Sequence, residues 1–149
     1  MNPIGVSMAS PRTPWTYWPF RLAVTVATVL LVDQPVYAGQ FLSGTFSALH
    51  THRENATVAG IAVGVAALAA VPIRWPGRGP LWPLLACLGL YGLIAVQIVI
   101  GFGRLLTIHI PLGVAIIVLA VLLTVWAWRP HLPRPEPAVA EPERQEAAR

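Results

Sequence analysis

The chain has no lysine, a single cysteine, and charge on only 11% of its 149 residues. Each shortage closes off a set of functions. One thiol, Cys87, cannot form an internal disulfide or a thiolate metal cluster, and in its apolar setting it reads as a small packing residue. The charged fraction is less than half of the roughly 25% usual in soluble domains, which argues against a water-soluble enzyme. No glycine-rich phosphate loop or hydrolytic triad is visible either. The formal charge of +4 rests on ten arginines. They stand at the ends of apolar blocks and form no continuous patch, so nucleic acid is not an expected partner.

What the chain does have is apolar length. Hydrophobic residues make up 56% of it, and the mean hydropathy is +0.65. They gather in blocks at about 20–46, 52–73, 81–102 and 105–128. Each is close to the roughly 20 residues that a helix needs to cross the hydrocarbon core. Backbone groups cannot go unpaired in lipid, so each block should be helical, and short loops force neighbouring spans to alternate in direction. The expected fold is an all-α integral membrane protein, an antiparallel four-transmembrane-helix bundle over residues 20–128. A leading segment, 1–19, ends in Trp15, Tyr17 and Trp18. The tail, 129–149, changes to Pro, Glu, Arg and Ala and has too little apolar surface to order itself. No internal repeat stands out.

Two signals orient the bundle. Arg12, Arg21, Arg74, Arg78, Arg129 and Arg134 fall on the side of the termini, and only Arg53 and Arg104 fall on the other. The positive-inside rule puts both termini in the cytoplasm. All six tryptophans flank that same side, as an interfacial belt would. A rival reading takes Arg21, the run Leu22–Val32 and Val36-Tyr37-Ala38 before Gly39 as a signal peptide with a cleavage site, which would leave three spans.

The polar island Leu49-His50-Thr51-His52-Arg53-Glu54-Asn55-Ala56 then lies at the outer face. Thr51 and Glu54 have capping-box spacing, which would start the second helix there and put His52 in its first turn. His109 sits about one turn inside the fourth helix. The two histidines should agree in depth to about 10 Å at 1.5 Å of rise per residue. Two neutral imidazoles at one level on non-adjacent helices suit bis-histidine ligation of a haem iron. They also suit a wet loop histidine and an interfacial one that snorkels. His50 is two positions from His52 and faces elsewhere on a helix. Small residues on the histidine faces, Ala56, Ala59, Gly60 with Gly64, and Gly113, would let a flat porphyrin approach. Arg53 and Arg104 would pair with its propionates. Gln40 and Gln97, near the same level, would bond haem or ligand groups, or link helices. Asp33-Gln34-Pro35 interrupts the first span. A carboxylate at that depth costs at least about 2.5 kcal/mol, so Asp33 is a candidate proton or ion site, or a protonated acid bonded to Gln34 or a neighbouring helix.

The pair His52-Arg53, the spacing Gln97-x-x-x-Gly101, and His109 followed by Gly113 resemble the heme A synthase family. That family is built of two four-helix halves, each with a histidine pair on its second and fourth helices, and this chain is similar to one half over about Phe20 to Trp128. Gly39-Gln40-Phe41-Leu42-Ser43-Gly44 also resembles small four-span bacterial membrane proteins of uncharacterised role. The resemblance implies haem b as cofactor, with the lipid bilayer and membrane redox or haem-handling proteins as partners. Leu49 stands where the family has the glutamate of its oxidation chemistry, and no second half is present. The expectation is therefore a cytochrome-like haem protein serving electron transfer or haem handling, with no catalysis of its own. A small transporter or accessory subunit using Asp33, and a haem-free membrane scaffold, are the alternatives.

Overall fold

A computed structural model describes residues 14–130. The expectations for the leading segment before Pro14 and for the tail from His131 fall outside it. A 3-10 turn, Trp15–Tyr17, leads into α1 (Trp18–Leu42), followed by α2 (Ala48–Arg74), α3 (Trp82–Phe102) and α4 (Leu106–Trp128). Among the described residues there are no strands. All four helices are long and apolar enough to cross a membrane.

Prolines start two of these helices without cost. Pro19 and Pro83 lie in the first turns of α1 and α3, where the missing N–H would have had no helical partner. The first helix ends four residues earlier than its apolar block suggests. Gly44 takes a left-handed φ of 100°, and the chain turns through Ser43–Ser47. The second helix correspondingly begins at Ala48, a turn before the expected Thr51–Glu54 capping box, which does not form. Glu54 reaches instead to His50, 3.2 Å away on the same exposed face.

Each helix packs on two others, α1 and α3 both against α2 and α4. The start of α1 meets the end of α4. There Arg21 is buried, donating from Nε to the Ala127 carbonyl at 2.8 Å and from Nη2 to that of Arg129 at 3.1 Å. Trp18 and Trp128 hold the guanidinium carbon at 5.4 and 5.3 Å from their ring centres. The last carbonyls of a helix have no partner within it and attract positive charge, so Arg21 closes α4. Its sequence position marked it as a topology residue or as the charge that opens a signal peptide. Further along, Thr28 Oγ1 lies 3.2 Å from the Ala120 carbonyl and 2.8 Å from Thr124 Oγ1, tying the same two helices. Tyr17, Phe20 and Trp82 all contact the Trp126 ring, which fills the bundle at this end.

Small side chains share the interior with larger ones such as Phe20, Leu31, Ile94 and Leu123. Ala27, Ala59, Ala66, Ala67, Ala70, Ala120 and Ala127 are buried, while Leu22, Val26, Val29, Leu119 and Leu122 point outward. In lipid, helix association depends on close backbone approach, which small residues allow. Gly60 and Gly64 act in this way. A Cβ at Gly60 would touch Ile94, and one at Gly64 would touch Tyr91, so this face of α2 is used to pack α3.

Candidate functional site

Away from the tryptophan end, α2 and α4 bring His52 and His109 together. Their ring centres are 6.3 Å apart with 57° between the planes. They stand on opposite corners of the bundle, each about one turn inside its helix, and both are half-buried.

Each ring is held by a glutamine from the helix that precedes its own. His109 Nδ1 lies 3.1 Å from the main-chain carbonyl of Gln97. In return Gln97 Nε2 donates to the main-chain carbonyl of His109 at 2.7 Å. His52 Nδ1 lies 3.1 Å from the main-chain carbonyl of Gln34. The Gln34 amide is satisfied at both ends when its Oε1 accepts from the Ala56 N–H at 2.7 Å and from Asn55 Nδ2 at 3.0 Å. Its Nε2 then lies 2.7 Å from His52 Nδ1 and 3.2 Å from the His52 carbonyl. Asn55 Nδ2 also donates to the Leu30 carbonyl at 2.7 Å.

Two glycines make these arrangements possible. A Cβ at Gly101 would stand 2.8 Å from His109 Cε1 and 3.1 Å from its Nδ1, so only glycine lets the ring lie against α3. A Cβ at Gly113 would come within 2.8 Å of Gln97 Nε2. The space expected at Gly113 for a porphyrin is thus taken by the amide that holds His109.

The other residues singled out in the sequence are placed less centrally. Arg53 is exposed, with its guanidinium carbon 5.3 Å from the Phe102 ring centre. Arg104 is exposed in the α3–α4 turn, in a left-handed conformation at φ 56°. Both stand at the histidine end of the bundle. Gln40 is exposed near the end of α1 and takes no part in the network at the histidines. Asp33 is half-buried and also lies outside that network, since Gln34 turns its amide to α2 and not to Asp33. Leu49 is half-buried. Among the described residues no three His, Cys, Asp or Glu side chains cluster as a metal site.

From the sequence alone Gln34 and Asn55 had no site role, and Gly101 entered only through the Gln97-x-x-x-Gly101 spacing. Asn55 lies three positions after His52 and so shares its helix face, a spacing that could have marked it. Gln34 could have been marked as an amide inside an apolar span, where polar groups seek partners on other helices.

The fold and this site define an all-helical protein with four candidate membrane spans and a paired-histidine site between opposite helices. Comparison with family models, with curated proteins and with solved structures gives no match to the chain.

Proposed function

We propose that the chain is a small cytochrome-like protein of a bacterial cytoplasmic membrane, binding haem b between His52 and His109. In this reading the four helices span the bilayer as an antiparallel bundle with both termini cytoplasmic and the histidine end outward. The observation that carries the proposal is the ring pair, 6.3 Å between centres, with each Nδ1 at 3.1 Å from a main-chain carbonyl. Two metal–nitrogen bonds of about 2 Å, with about 1.1 Å from each nitrogen to its ring centre, span about 6 Å. Metal-binding histidines characteristically give their second ring nitrogen to a carbonyl or carboxylate, which fixes the ring and leaves the other nitrogen for the metal.

The two-imidazole donor set suits a haem iron; both rings are half-buried, and a porphyrin would have to lie clear of Gly113, where the Gln97 amide already sits. Arg53 and Arg104, both exposed at the histidine end, would hold anionic propionates. Bound haem would supply a one-electron couple, and the role that follows is electron transfer or haem handling. Leu49, where the resemblance would place the family's glutamate, has no proton to give or take, so oxidation of the haem itself is not part of the proposal.

A reduced-minus-oxidised spectrum of the detergent-purified protein, expressed with ample haem, tests this directly. A b-type band is expected, and it should vanish in His109→Ala and persist in His50→Ala. Its absence from the unaltered protein would overturn the haem reading. Transport that is lost in Asp33→Asn, with no haem signal, would favour a coupling carboxylate instead.

A further inference from the structure

We infer that the two histidines are not equivalent ligands: His109 is the fixed one, and His52 is the one that exchanges, under the control of Gln34. This rests on the haem reading and goes beyond it by assigning each ring a different duty.

The asymmetry lies in what each Nδ1 meets. At His109 the near partner is the Gln97 main-chain carbonyl at 3.1 Å. An acceptor there requires a proton on Nδ1 and leaves the lone pair on Nε2, the form that binds a metal. The Gln97 amide does not compete, because it is committed to the His109 main-chain carbonyl at 2.7 Å, and Gly113 gives it the room to be there. His109 is thus set in the ligating tautomer before anything binds.

At His52 one residue offers both kinds of partner. The Gln34 main-chain carbonyl, at 3.1 Å, calls for a proton on Nδ1. The Gln34 side-chain Nε2, at 2.7 Å, calls for a lone pair there. The shorter contact favours the second tautomer, in which Nε2 carries the proton and cannot bind a metal. Asn55 and the Ala56 N–H hold the amide in that orientation through Gln34 Oε1. For His52 to become a ligand, the amide must give way and the proton must move to Nδ1, where the main-chain carbonyl then accepts it. When His52 releases, the amide returns. Gln34 is therefore a positioning residue that makes the His52 side of the site labile. A labile side is what haem loading, haem release or an external ligand would use.

The test has two arms. In the ligand-free protein, with ring nitrogens labelled with nitrogen-15, magnetic resonance should find His109 with its proton on Nδ1 and His52 with its proton on Nε2. Gln34→Met should move the His52 proton to Nδ1 and leave His109 unchanged. Asn55→Leu, which frees the amide without removing it, should shift His52 in the same direction. In the haem-loaded, reduced protein, carbon monoxide should displace His52. Uptake should be roughly tenfold slower in Gln34→Met, the scale set by one hydrogen bond. Identical tautomers at the two rings, or uptake in Gln34→Met as fast as in the unaltered protein, would overturn the inference while leaving the haem reading intact. The expected tautomers in a protein that takes up no haem would overturn the haem reading, and the exchange role with it, but not the asymmetry of the rings.

Discussion

Gly101→Ala is the most economical perturbation of the site, since it adds one methyl group and no charge. The new Cβ would stand 2.8 Å from His109 Cε1. Carbon atoms settle at about 3.5–4.0 Å, so the ring must withdraw by about 0.7–1.2 Å. Gln97 and Gly101 are one turn apart on the same face of α3. Withdrawal from one is therefore withdrawal from the other, and the 3.1 Å contact from Nδ1 to the Gln97 carbonyl is carried out of hydrogen-bonding range. One lost hydrogen bond and local overpacking together destabilise the fold by about 2–4 kcal/mol. Loss of the carbonyl that orients a metal-binding histidine lowers haem affinity by about 10–100-fold. Thermal unfolding of the ligand-free protein in detergent reads the first quantity, and haem titration followed by absorbance reads the second. Gly89→Ala is the control, because no atom lies within 4 Å of a Cβ at that position. If Gly101→Ala unfolds and binds haem as the control does, the argument that α3 holds the His109 ring is refuted.

Three further substitutions probe the rest of the bundle. Arg21→Met strands the carbonyls of Ala127 and Arg129 at the end of α4 and should cost about 2–4 kcal/mol in denaturant or thermal unfolding. Arg21→Lys should recover only part of that, having no fork to reach both carbonyls. Thr28→Val removes the contacts to Ala120 and Thr124 and should cost about 1–2 kcal/mol, with the haem spectrum unchanged because it lies toward the other end. Asp33→Asn should leave the haem spectrum and His52 ligation unchanged, since Asp33 stands outside the network; a shifted or lost b-type band would refute that placement.

The positions of the helices were legible because each is an apolar block of about the length that a membrane-crossing helix needs, and a sequence displays both directly. The histidine pair was legible for a related reason. His52 and His109 are polar groups at equivalent places in two successive hairpins, and the bundle does bring them together. The start of α2 was misjudged because Thr51 and Glu54 have the right spacing for a cap, while Ser47-Ala48 sets the helix going a turn earlier without any side-chain cap. Gly113 was noticed for the right face, but the side chain it accommodates is Gln97. Gln34 enters the sequence reading only as one possible partner of Asp33, whereas residues next to each other on a helix point to different sides and its amide turns to α2. Arg21 was counted as a charge, and its burial depends on the end of α4, more than a hundred residues on. Such partnerships are set by packing between helices, which no local pattern encodes.

Each ring shares a hairpin with the glutamine that holds it: Gln34 and His52 belong to α1–α2, Gln97 and His109 to α3–α4. Half of the site is thus finished inside one hairpin, with no help from the other. On the proposed membrane-spanning reading, the first hairpin can enter the bilayer with His52 already held, before α3 has left the ribosome. The 75–81 connection carries none of the contacts that orient either ring. A chain cut there and produced as two hairpins should re-form the site when the halves meet, and a ligand bridging the two rings would report that meeting.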